Sequence, residues 1–230
     1  MWAFDSKGND MNTIVIENDT IQIPDDIRTL DSFRQWLHSP AFPETGRICF
    51  LQGEVWVDMS KEQIFSHNQV KQEYNLVLGG LAKSRRRGRY FPDGLLVTNA
   101  TAGLCAQPDG TFVSLEAFQE ERVRLIEGAM EGFLELEGSP DMVLEVMSAS
   151  SVIKDTETLR DLYWQAGISE YWLVDARSKL QFDILRHAAD GYVAARKQQG
   201  WIKSQVFGLS FKLTRRTDEM GNPEYVLETR

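Results

Sequence analysis

The chain has 230 residues, 42% of them hydrophobic and 10% aromatic, which is ample for one packed globular domain. Its net charge of -9 makes the molecule as a whole repel phosphates, so a nucleic-acid partner has to be met by a local basic surface. No apolar run approaches a membrane span, and the opening MWAFDSKGNDMNTIVIEND has neither the basic leader nor the apolar core of a signal peptide. With Cys49 and Cys105 far apart and in no metal or redox spacing, the expectation is a cytoplasmic protein without a membrane partner or a disulfide framework.

Residues 1–28 are polar apart from an extended patch at Thr13 to Ile16, which reads as an arm or edge strand. Ser32-Phe33-Arg34-Gln35 has a capping-box pattern and predicts a short packing helix that ends before Pro40. Arg47 to Met59 alternates around Gln52-Gly53 and predicts a β-hairpin. From Gln63 to Lys83 the period becomes helical, with Val70, Tyr74, Val77, Leu78 and Leu81 on one stripe, His67 on the same stripe and Glu73 at its edge. On that stripe His67 is either a satisfied core histidine or a site residue.

The run from Lys83 through Arg85, Arg86, Arg87 and Arg89 is the one dense basic stretch, interrupted by Gly88, which suits a helix C-cap. Its two readings are a solvated helix end, favoured by the helix dipole, and a patch that contacts nucleic-acid phosphates. Arg89 to Asn99 and Leu104 to Leu115 read as two strands, and Pro108 in the second marks an edge, bulge or kink that re-aims the next side chain, Asp109. A helical turn at Glu116 to Glu121 and short strands at Val123 to Ile126 and Phe133 to Leu136, around the loop GAMEG, follow.

Met142 to Met147 is apolar at every position but one, the pattern of a strand buried on both faces. The exception is Glu145, and an ionised carboxylate out of water needs a metal ion, a cation such as Arg160, or a fixed set of donors. Asp155 then reads as an N-cap, and Leu159, Leu162, Tyr163 and Ala166 form the apolar face of a helix closed by Gly167. Tyr171 to Val174 is a second buried strand, so strand, helix and strand predict a parallel right-handed crossover. From Lys179 onward the pattern is all β, expected as antiparallel hairpins on the edge of the sheet.

Two carboxylates brought to one sheet edge, Asp109 and Glu145, are suited to a hard cation such as Mg²⁺ or Mn²⁺, with positions left for water and phosphate. Lys154 in the following loop is placed to orient or deprotonate an attacking water. Ser151 and Lys154 match a Ser-x-x-Lys pattern, but the companion triplets of serine acyl-transfer enzymes are missing. No Gly-rich phosphate loop, dinucleotide fingerprint or zinc pattern occurs.

The order Pro108-Asp109, then Glu145 in an apolar strand, resembles the layout of PD-(D/E)XK restriction-endonuclease-like nucleases. Within that superfamily the chain resembles the Uma-two family at SPDMVLEVMSASS, LYWQAGISEYWLVDAR, QPDGTFVS and MSKEQIFSHNQV, from about Arg47 to about Leu213. The resemblance implies a divalent-metal-dependent nuclease, with Asp109 and Glu145 as ligands, a lysine completing the site, and His67 at a position that often holds histidine. The chain departs from the motif at Met147, where the lysine normally stands, and at Leu159, where many members place it instead. Lys154 is the substitute.

The expected fold is α/β or α+β, a restriction-endonuclease-like mixed sheet flanked by helices with added hairpins. The expected organisation is an arm and short helix over 1–45, the nuclease-like domain over 46–215 and a tail over 216–230. The expected function is Mg²⁺- or Mn²⁺-dependent hydrolysis of DNA phosphodiester bonds, with Asp109, Glu145, Lys154 and His67 in the site. Its rival is an inactive nuclease-fold protein serving as a binding or assembly module, and a homodimer is left open.

Overall fold

The computed structural model describes residues 11–16, 19–43, 46–128 and 132–230. Met142–Val146 and Glu170–Asp175 are adjacent parallel strands, and the helix Leu159–Gln165 crosses between them. The first strand is buried at every residue, and its two faces serve two cores. Leu144 and Val146 pack with Tyr74, Leu78 and Trp172 under the long helix Val70–Arg85, whereas Val143 packs with Leu162, Tyr163 and Tyr171 under the crossover helix. Side chains alternate along a strand, so Glu145 shares the Val143 face and points toward that second helix. Full burial of each such Leu or Val is worth roughly 1.5–3 kcal/mol, which makes this strand the anchor of the domain.

Around this pair the sheet runs in the order Gly191–Ala194, Gln181–Ala188, Glu170–Asp175, Met142–Val146, Gly110–Ser114, Gly88–Pro92. Its other pairings are antiparallel, so the expected mixed sheet is present. A second sheet has the order Glu54–Asp58, Arg47–Leu51, Leu104–Ala106, Leu96–Asn99, Phe133–Gly138, Val123–Glu127. The predicted hairpin opens it, and its turn takes positive φ at Gln52 (52°) and Gly53 (91°), the twist a two-residue connection requires.

The two strands expected at Arg89 to Asn99 and Leu104 to Leu115 are four. Gly88–Pro92 lies in the first sheet and Leu96–Asn99 in the second, and the chain returns from Leu104–Ala106 in the second to Gly110–Ser114 in the first. Both transfers occur at Pro-Asp-Gly, because a proline offers no N–H to continue a ladder.

The caps also differ from expectation. Thr29, not Ser32, caps the helix Leu30–Leu37, with Ser32 as its reciprocal partner. Arg86, not Gly88, takes the left-handed C-cap of Val70–Arg85, with φ 52°. Gly88 opens the next strand, where a Cβ would lie 2.2 Å from the Val113 carbonyl oxygen. Ser148 and Ser151 exchange side-chain to backbone hydrogen bonds of 3.1 and 2.9 Å, so they hold the entry to the crossover helix, and Asp155 lies inside its first turns.

The predicted C-terminal hairpins divide. Gln181–Ala188 and Gly191–Ala194 extend the first sheet, but Lys197–Gln198, Trp201–Lys203, Ser210–Thr217 and Pro223–Thr229 form a separate four-stranded sheet. Residues 216–230, expected as a tail, thus include a strand paired along its length. Thr13 to Ile16 belongs to a strand, Met11–Ile16, paired with Asp19–Pro24. The first ten residues of the predicted arm and residues 129–131 of the GAMEG loop lie outside the described residues. No helix among the described residues is long and apolar enough to cross a membrane.

Candidate functional site

Antiparallel register brings Asp109 to Glu145. Gly110 pairs with Leu144, and one further step along both strands sets Asp109 opposite Glu145. The ladder gives way there, because the Asp109 carboxylate itself accepts the Val146 N–H at 2.8 Å. Gly110 is required beside it: a Cβ at this position would lie 2.1 Å from the Tyr90 hydroxyl oxygen. Both carboxylates are almost fully buried, at 1% exposed for Asp109 and 3% for Glu145.

Glu145 does not pair with Arg160, which donates to the Tyr192 carbonyl. It accepts the Tyr163 hydroxyl at 2.7 Å, from the crossover helix. Burial and the neighbouring Asp155 and Asp109 carboxylates push the Glu145 carboxyl well above its ordinary range, against the pull of Lys154 and Tyr163. Its protonated form is thereby favoured, and a cation placed beside it would restore the ionised one.

Lys154 reaches the same site. Burial works against its ammonium, but Glu145 and Asp155 outweigh this and hold its pKa above the ordinary value. Asp155, read from sequence as a cap, is 1% exposed and receives the Ser151 hydroxyl, while the Tyr171 hydroxyl donates to its backbone carbonyl. Its Oδ1 has no hydrogen-bond donor among the described residues, with Lys154 Nζ standing 3.6 Å away. Burial raises its carboxyl to about 6, although Lys154 and Ser151 pull it down.

On the other side of Asp109 the two Pro-Asp-Gly turns converge. Arg47 donates to Asp109 at 3.2 Å and also pairs with Asp93, from the first turn, and with Glu62. Lys71, 5% exposed, bridges Asp93 and Glu62 and lies 3.6 Å from Asp109. Burial opposes the charge on both cations, but Asp109 and its acidic neighbours raise their pKa values, so both stay protonated. His67 is buried between these groups, with Nε2 3.7 Å from Asp109 and Nδ1 3.7 Å from Glu62. It belongs to the charged cluster, not to a purely apolar core.

Asp109, Glu145, Lys154, Asp155 and His67 line one cleft of about 350 Å³. Among its lining side chains Asp58, Glu62, Asp109, Glu145 and Asp155 outnumber the cations Arg47, Lys61 and Lys154 by two. This excess, with the raised Glu145 carboxyl and the unmatched Asp155 oxygen, fits a divalent cation on oxygen ligands. Among the described residues no three His, Cys, Asp or Glu side chains form a ready-made cage, so a cation there would complete its shell with water or phosphate.

Local pattern gives no sign of Arg47, Lys71 or Asp93 as site residues, and it marks Asp155 only as a cap. Only the repeat of Pro-Asp-Gly, at 92–94 and 108–110, is a signal for Asp93. Arg85, Arg86, Arg87 and Arg89 are exposed but do not line the cleft. Arg85 lies fourteen residues along the helix from Lys71, roughly 21 Å at the α-helical rise, and it donates to the Phe207 carbonyl.

A family model named Uma2, described as "Putative restriction endonuclease", matches residues 30–216. No curated protein matches the chain significantly. Among solved structures the chain is similar to a protein from Anabaena variabilis titled "putative nuclease belonging to DUF820", with TM-score 0.58 and 17% identity over 78% of this chain and 90% of that one. At this identity the likeness is one of fold.

Proposed function

The chain belongs to the Uma2 family, and from that premise we propose that it is a divalent-metal-dependent endonuclease that hydrolyses phosphodiester bonds of DNA. The observation that carries this reading is the pairing of Asp109 and Glu145 in one cleft with Lys154, where carboxylates outnumber cations. Asp109 and Glu145 are the residues that would hold Mg²⁺ or Mn²⁺, which when bound supplies positive charge to the scissile phosphate and acidity to the attacking water.

The chain's own groups do the rest. Lys154 stays protonated, so it acts as a hydrogen-bond donor that orients the water and balances phosphate charge, and not as the base. Asp155 has an unmatched oxygen that faces the cleft, which suits it to accept the water proton. The water oxygen then bonds to phosphorus as the bond to the leaving oxygen breaks, and that oxygen takes a proton from solvent. Tyr163 holds Glu145, and His67 with Arg47 and Lys71 holds Asp109.

Cleavage of duplex and single-stranded DNA, with Mg²⁺ or Mn²⁺ and with chelator, tests this. Even residues that only support metal ligands cost 10- to 100-fold when changed, so Asp109→Asn and Glu145→Gln should each lower cleavage by at least about 100-fold. Unchanged cleavage in both variants would refute the assignment. The rival, a binding or assembly module, is favoured by Met147, a buried apolar side chain where the motif keeps its lysine. It would be supported if neither metal yields any cleavage while the protein is folded.

A further inference from the structure

Beside the cleft lies a second, smaller pocket of about 140 Å³, which shares Arg47, Asp58, Ser151 and Lys154 with it. Its remaining walls are Cys49, Trp56, Val57, Gln107 and Ser150. Cys49 and Trp56 are directly paired across the hairpin, so they form one apolar wall. Trp56 is 36% exposed, and no other aromatic ring stacks on it among the described residues. Gln107, just before Pro108-Asp109, adds an amide that can both donate and accept.

Resting on the nuclease reading, we infer that this pocket receives one pyrimidine base of the nucleotide next to the scissile phosphate, stacked on Trp56 and read by Gln107. The size carries the choice of one ring. A cavity of roughly 150 Å³ takes up benzene, a single six-membered ring, and the fused rings of a purine need more room. The chemistry carries the choice of a base: an apolar aromatic wall, an amide, and the cations Arg47 and Lys154 on the lining that the pocket shares with the cleft, where they can meet the adjoining phosphate. A base inside the duplex stack cannot reach such a pocket without unpairing, so the favoured substrate class is a single strand, loop or mismatch.

The test uses the full chain with Mn²⁺ and single-stranded oligonucleotides that differ at one central position, which is a pyrimidine, a purine or an abasic site. One base stacked on an aromatic side chain is worth at least about fivefold, so cleavage beside the pyrimidine should exceed cleavage beside the purine or abasic site by that factor or more. The same pyrimidine in a matched duplex should be cut more slowly. Trp56→Ala should bring the pyrimidine-to-purine ratio close to one, and Trp56→Phe should keep it. Cleavage by the wild-type protein that ignores the central base overturns the pocket assignment and leaves the nuclease reading standing, as does a ratio unchanged in Trp56→Ala. No cleavage of any strand overturns both. The wild-type ratio decides the matter whether or not the alanine variant folds.

Discussion

Replacing Asp155 by asparagine isolates the electrostatic strain of the metal-free site. The ordinary carboxyl value is 3.8, and burial raises that of Asp155 to about 6. The folded state therefore binds this proton more tightly than the unfolded chain does. As pH rises through the window from about 4 to about 6, the unfolded chain releases the proton first, so the contribution of Asp155 to stability falls across the window and stays low above it. The difference of about two pH units corresponds to roughly 3 kcal/mol. Asparagine keeps an oxygen for the Ser151 hydroxyl but carries no charge. Measured in chelator, the Tm of Asp155→Asn relative to wild type should rise by about 6–12 °C between pH 4 and pH 8, given roughly 2–4 °C per kcal/mol for a chain of this size. A difference that stays flat with pH, or that falls, would refute the reasoning.

Two further predictions concern the scaffold. Arg86 holds a left-handed C-cap at φ 52°, a conformation that strains a side chain with a Cβ. Arg86→Gly should add about 0.5–1 kcal/mol, read as a higher urea midpoint at constant m, and no gain would show that the cap is unstrained. A Cβ on Gly110 would collide with the Tyr90 ring and hydroxyl, so Gly110→Ala should cost about 1–3 kcal/mol. Adding Tyr90→Phe, which removes the nearest atom, should recover part of that loss in the same titration. Equal stability of wild type and Gly110→Ala would exclude the close approach.

Much of the architecture is legible in local pattern because periodicity reports which side chains must leave water. The uninterrupted apolar run around Glu145, the helix stripe through Leu162 and Tyr163, and the Gln52-Gly53 turn all appear where their spacing predicts. The pairing of Asp109 with Glu145 was legible for a related reason: a carboxylate in a buried strand needs a compensating group, and Pro108 marks where a strand must break. Lys154 followed from its place in the connection.

What lies across the site could not be read in the same way. The exchange of strands between two sheets at Pro92 and Pro108 depends on which edges are free to pair, a long-range matter that no window of residues contains. The meeting of Arg47, Lys71 and Asp93 at Asp109 follows from that exchange, because it brings a hairpin, a helix and two turns to one point. Asp155 had the local pattern of a cap, and only the packing of its helix against the buried strand turned it inward, beside Lys154 and across from Glu145. The sequence thus determined which groups could not remain uncompensated, and the tertiary structure decided their partners, because charge compensation depends on distance in space and not on separation along the chain.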